Sequence, residues 1–331
     1  MFKLLKKLIR YTFLVAVTVL ILGWYFVVGP HGDLEGKDFN TGENGIWIQH
    51  AWVGNEQDPQ AVYDLALKLQ KYDIKYIYIH TGPFDTDGTI PEERYKFAKE
   101  FVQFLKEKNP DLIPLAWVGQ VRSELEIESE EIRANIVETC EKLIIETGFA
   151  GLHYDIEPIP HDDEYFLTLL EETREAIGEN VVISIATDEW QPSMISDVVG
   201  MILDEDIKSY WETTYFKDVA GIADQIAVMT YDTSLTDPEH YEWFVEQQVI
   251  YLTQILAGYD TELLIGIPTY EDDKESFDPL VENMETGLNG IITGLNNKRT
   301  IADVFTGVAI YAEWETSESE WNIYEKLWQG L

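Results

Sequence analysis

Cysteine and positive charge are what this sequence has least of. A single cysteine, Cys140, stands among 331 residues, which leaves no room for an internal disulfide framework or a cysteine-built metal site. Set in an apolar helical pattern, it reads as a small core residue. Lys and Arg number 23 against 61 Asp and Glu, for a net charge of -38. Lys3, Lys6, Lys7 and Arg10 open the chain with no acid among them, so everything after them is more acidic still. Such a surface repels phosphate backbones and argues against nucleic acid as a partner. Also missing is a glycine-rich turn after the first predicted strand, where HAWVGNEQ stands instead. The dinucleotide-binding open sheet thereby loses its main sequence support, and no motif calls for a cofactor or a metal.

One long uncharged run is present. Tyr11 to Val28 reads YTFLVAVTVLILGWYFVV, with Trp24 and Tyr25 near its far end. That is about the length that crosses a bilayer as a helix, with aromatics where the interface would lie. The basic flank before it predicts a cytoplasmic N-terminus and a body held at the cell surface. No small-residue cleavage site follows, so an uncleaved anchor is expected. The chain therefore divides into a basic flank and transmembrane anchor over 1–28, a Gly-, Pro- and polar-rich linker over 29–44, and a body over 45–331.

In the body, short apolar runs alternate with amphipathic stretches. Strands are predicted to start near Gly45, Ile74, Asp111, Gly148, Asn180, Gln225, Glu262 and Gly307. They are near-continuous apolar runs, as expected of parallel strands buried on both faces. Helices are predicted over Pro59–Tyr72, Pro91–Lys108, Ser129–Thr147, Asp162–Ile177, Pro192–Lys208 with Trp211–Ala223, Pro238–Ala257, Phe277–Leu295 and Glu318–Trp328, from three- and four-residue apolar spacing. Eight strands, each followed by helix, is the count of a closed (β/α)8 TIM barrel.

In such a barrel the chemistry gathers at the C-terminal ends of the strands. The fourth strand ends His153-Tyr154-Asp155-Ile156-Glu157-Pro158. Alternation puts His153, Asp155 and Glu157 on one face, predicted to be the interior, with neighbours roughly 6–7 Å apart. Two carboxyls crowded in a partly dry site do not both ionise easily, and one that keeps its proton is the general acid that glycoside cleavage needs. Alone, an Asp-x-Glu at a strand end is equally a helix cap or a solvated loop. Two further strand ends add weight: Val228-Met229-Thr230-Tyr231-Asp232, and Leu264 to Tyr270, which reads LIGIPTY. Tyr231 is expected to share the inward face with Met229.

These motifs resemble glycoside hydrolase family 18, the chitinase-like family. GLHYDIEP resembles the end of its D-x-x-D-x-D-x-E strand, VMTYD its M-x-Y-D strand, and LIGIPTY its G-[IV]-P-x-Y strand. The resemblance implies that Glu157 is the proton donor and that Asp155 orients the substrate's 2-acetamido group. Tyr231 would hydrogen-bond the same group, giving a substrate-assisted retaining hydrolysis. His153, Asp232, Tyr270, Tyr311, Trp314, Trp117 and Trp52 are candidate substrate contacts. The expected substrate is an N-acetylglucosamine-containing polysaccharide, chitin-like or peptidoglycan-like cell-wall glycan.

The departures are specific. Ala150 and His153 stand where the family has its first two acids, of which the second supports the aspartate beside the proton donor. A charged His153 would depress the Asp155 carboxylate and alter the cycle. The usual floor tryptophan aligns with Tyr311, with Trp314 three residues on. LAWVGQ replaces a Ser-x-Gly-Gly signature on the third strand. The short EDDKESF link after strand seven predicts an open groove without an added lobe. Two alternatives follow from the departures: a glycan-binding barrel without turnover, and a metal hydrolase using His153, Asp155 and Glu157 as ligands.

Overall fold

A computed structural model describes residues 11–18, 20, 23, 29, 31–32, 38–192, 210–272 and 274–331. Eight parallel strands close in sequence order into one barrel: β1 (Asn44–Ile48), β2 (Ile74–Pro83), β3 (Ile113–Val121), β4 (Gly151–Glu157), β5 (Val182–Thr187), β6 (Gln225–Val228), β7 (Glu262–Pro268) and β8 (Phe305–Tyr311). A helix follows each: α1 (Pro59–Lys71), α2 (Ala98–Lys108), α3 (Glu130–Thr147), α4 (Glu164–Ile177), α5 (Thr213–Ala220), α6 (Pro238–Ile255), α7 (Met284–Asn296) and α8 (Glu318–Leu327). The TIM barrel expected from the alternation is therefore the observed fold. Local signals set the helix starts. Asp58, Asp163, Asp237, Asn283 and Ser317 each accept hydrogen bonds from first-turn backbone N–H groups, satisfying donors that have no partner inside the helix.

The apolar side chains sort into two cores. Between strands and helices lie residues such as Leu152, Tyr154, Ile183 and Val228. Here Cys140 is buried, 3.4 Å from the Tyr154 hydroxyl, as its surroundings in the sequence suggest. Inside the barrel lie Trp47, Tyr76, Tyr78, Leu115, Ala227 and Leu264, with Ala150 packed against them. Ala150 thus takes an ordinary interior packing role.

Several predicted boundaries differ: the helix predicted from Pro91 starts at Ala98, and the one predicted from Phe277 starts at Met284. The first strand ends at Ile48, and Ala51–Gly54 forms a single helical turn. The sixth strand ends at Val228, so Met229–Asp232 leave the ladder, with Asp232 at φ 61°. No helix among the described residues is long and apolar enough to cross a membrane. Residues 11–18 are helical; much of the Tyr11–Val28 run lies outside the described residues, as do most of the linker's residues from 30 to 37 and nearly all of the predicted helix Pro192–Lys208.

Candidate active site

β4 carries the site because its inward residues climb the barrel axis. His153 lies at the level of Trp117 and Ser184, Asp155 opposite Gly119, and Glu157 opposite Val121. Gly119 is required by this approach: a Cβ there would stand 2.1 Å from the Asp155 carbonyl oxygen. The outward residues Leu152, Tyr154 and Ile156 are buried under the helices.

At the mouth, a cavity of about 240 Å3 is lined by Asp155, Glu157, Met229, Tyr231, Asp232, Tyr270, Asp272, Lys274, Tyr311, Trp314 and Glu315. Pockets that enclose drug-sized ligands span roughly 300–1,000 Å3, so this one is on the scale of a single sugar ring. Asp155 Oδ2 accepts a 2.6 Å hydrogen bond from the Trp117 indole N–H, while Oδ1 has no partner. Burial, then the charge of Asp155 and of Asp188 and Asp232 beyond it, pushes the Glu157 carboxyl well above the usual carboxylate range. A proton kept on Glu157 can be donated toward the unengaged Asp155 oxygen. Asp188, at the top of β5, is itself pushed up to about 6 by burial and by Asp155.

The phenols complete the cavity. The Tyr231 hydroxyl is buried without a hydrogen-bond partner, its ring stacked on Tyr311 at 5.5 Å and edge-on to Tyr270 at 6.0 Å. Gly266 makes space for it, since a Cβ there would lie 3.2 Å from the Tyr231 ring. Buried polar groups are normally paired, so an orphaned phenol and an orphaned carboxylate oxygen in one cavity mark places for ligand atoms. Asp232 is held in its left-handed conformation by the Ser276 hydroxyl at 3.1 Å, with Lys274 Nζ at 3.8 Å. Trp314 stands edge-on to Tyr311 at the rim, 36 % exposed.

Of the expected site residues, Asp155, Glu157, Tyr231, Asp232, Tyr270, Tyr311 and Trp314 come together around the cavity. Three take other places. Trp52 rides on the helical turn after β1 and packs on Phe101 of α2 at 5.7 Å, outside the barrel. It was expected at the mouth because the first strand was read too long. Trp117 does not line the cavity; its one donor is engaged by Asp155. His153 is wholly buried one layer below. Its Nε2 accepts from the Trp47 indole at 3.0 Å. An indole nitrogen only donates, so the ring proton sits on Nδ1, 2.8 Å from the Ser184 hydroxyl. Burial lowers its pKa well below the ordinary value, so it is neutral and does not depress Asp155 by charge. With its two nitrogens engaged, it is no metal ligand alongside Asp155 and Glu157, and among the described residues no group of three or more His, Cys, Asp or Glu side chains is placed to hold a metal.

Asp188, Asp272, Lys274 and Glu315 were not foreseen. Asp188 lay inside the strand predicted from Asn180, which ends one residue earlier at Thr187; the other three sit on loops whose conformation no periodicity encodes. Glu313, just after β8, pairs with Lys68 of α1 at 3.4 Å and does not line the cavity. A larger hollow of about 840 Å3 between Tyr95, Lys99 and Ile145 lies on the helical shell, apart from these groups.

The sequence profile of the glycosyl hydrolases of family 18 matches residues 51–327. No curated protein matches the chain. Among solved structures, a Group IV chitinase of Ostrinia furnacalis superposes with TM-score 0.60 at 17% identity, covering 87% of this chain and 99% of its own. A chitinase of Cycas revoluta solved with (GlcNAc)3 gives 0.58 at 15% over 87% and 99%. A chitinase-like agglutinin of Robinia pseudoacacia gives 0.56 at 15% over 86% and 99%. At these identities the likeness is one of fold.

Proposed function

This chain belongs to the glycosyl hydrolases of family 18, and from that premise we propose that it hydrolyses β-linked N-acetylglucosamine glycan by substrate assistance. Glu157 gives its proton to the glycosidic oxygen as that bond breaks. The substrate's own acetamido oxygen closes on the anomeric carbon, and Asp155 holds the acetamido N–H and balances the developing positive charge. The Tyr231 hydroxyl donates to the acetamido oxygen. Glu157, now a carboxylate, takes a proton from the water that reopens the ring, so configuration is retained. The observation that carries this reading is the Glu157 carboxyl beside an aspartate oxygen and a phenol, each lacking a partner, in one cavity.

The lining acids Asp155, Glu157, Asp232, Asp272 and Glu315 meet one cation, Lys274, which already neighbours Asp232. Their field disfavours sugars that carry a carboxylate, so neutral chitin-like oligomers suit the cavity better than muramic acid units. The apolar run Tyr11–Val28 supports tethering of the barrel to a membrane, with the cleft outside the cytoplasm.

The test is release of new reducing ends from N-acetylglucosamine oligomers by the full chain in detergent, beside Glu157→Gln. Turnover that falls by roughly a thousandfold in the variant, with oligomer binding kept, is expected. Equal cleavage of oligomers lacking the N-acetyl group would sink substrate assistance. A second reading, a glycan-binding barrel without turnover, draws on Ala150 and His153 and on the fold shared with an agglutinin. Binding with no turnover at any pH, unchanged in Glu157→Gln, would establish it.

A further inference from the structure

We propose that Trp117 is a positioning residue for this reaction: its indole N–H holds Asp155 in one orientation from the neighbouring strand, the support that position 153 does not give. The proposal rests on the hydrolase reading above. Trp117 Nε1 lies 2.6 Å from Asp155 Oδ2, a charge-assisted distance. His153 is not available for the task, since its Nε2 and Nδ1 are engaged by Trp47 and Ser184. Trp117 is itself fixed. Its ring lies 4.6 Å from His80 on β2 and 6.3 Å from Tyr311 on β8, and its carbonyl accepts from the Thr81 hydroxyl at 2.9 Å.

The choice of donor has a chemical consequence. An indole N–H gives a hydrogen bond and takes no proton, so it fixes the Asp155 carboxyl group by donation alone. It also leaves Oδ1 free for the acetamido N–H. Other charges facing the pair are Asp188 from the top of β5, Asp232 after β6 and Lys274 after β7. His80, pushed down to about 4 by burial and by His50, adds no charge at neutral pH.

In Trp117→Phe, kcat is expected to fall roughly 10- to 100-fold, the scale of a lost hydrogen bond to a charged group, with KM within about twofold. In an Asp155→Asn background the same substitution costs little more, since the two act as one unit. A Trp117→Phe enzyme with wild-type kcat, or one whose loss adds in full to that of Asp155→Asn, overturns the proposal. Should that variant fail to fold, the indole N–H proton resonance of Trp117 in the wild-type chain decides. It is expected downfield and displaced by Asp155→Asn; a resonance indifferent to that substitution overturns the proposal. Absence of all turnover in the wild type defeats the hydrolase reading, whereas normal turnover with an indifferent Trp117 defeats this inference alone.

Discussion

Two layers of the barrel interior, one step apart on β4, differ in what their hydrogen bonds leave unfilled. In the lower layer His153 is bonded to Trp47 and Ser184 and stacked on Tyr78 at 3.8 Å. Ser184 and Tyr78 both donate to Gln225, which donates to Glu262. Every link ends on a partner, so the layer is a closed polar core of the kind that fixes packing. In the upper layer Asp155 Oδ1, Tyr231 and Tyr270 each carry a buried polar atom with none. The same strand, with the same alternation, therefore supplies a structural residue and, two and four residues later, acids poised for a ligand. The two layers differ more in unmet hydrogen bonds than in residue type.

Substitutions on either side of that boundary should behave differently. Asp155→Asn, in the upper layer, should lower kcat by about a hundred- to a thousandfold, with the melting temperature nearly unchanged, in oligomer-hydrolysis assays paired with calorimetry. An equal loss of folding would move Asp155 into the structural class. Below it, His153→Ala leaves the Trp47 N–H without an acceptor and opens a cavity, so denaturant melts should show a loss of about 2–4 kcal/mol. Full stability in that variant would mean the closed network contributes nothing. Tyr231→Phe removes one neutral donor and should cost about tenfold in kcat/KM, with no loss of stability, since its hydroxyl has no protein partner.

The smallest effect is a pH-dependent one. Because the Glu157 pKa is raised in the folded protein, the native state holds a proton that the unfolded chain releases. The associated stability is present below the ordinary glutamate value and is lost as pH rises through the raised one. Glu157→Gln, which cannot ionise, should match the wild type in acid and gain a few degrees, about 2–4 °C, above neutrality. A Tm difference independent of pH would mean that Glu157 is not protonated in the folded site.

Much of this was legible along the chain. Strand number, parallel order and the inward face of Asp155 and Glu157 follow from local periodicity, and most predicted helices fall within a few residues of the observed ones, although those predicted from Pro91 and Phe277 start seven residues later, at Ala98 and Met284. The motif VMTYD placed Tyr231 correctly even though β6 ends before it. Trp52 was misplaced because GIWIQHAWVG is apolar apart from Gln49 and His50, and a near-continuous apolar run does not distinguish a strand from a strand followed by a helical turn. Asp272, Lys274 and Glu315 were missed because loop conformation depends on contacts far away in sequence.

The sequence by itself determined a closed barrel with an acid pair at the rim of its fourth strand, since a period of two and a repeated strand–helix alternation are properties of neighbouring residues. Only the tertiary structure decided that His153 is a neutral core residue and that Trp117 is the partner of Asp155. Those outcomes depend on the register of β3 and β5 against β4 and on the height at which Trp47 of β1 reaches across the interior, which are set by closure of the whole sheet rather than by any one segment.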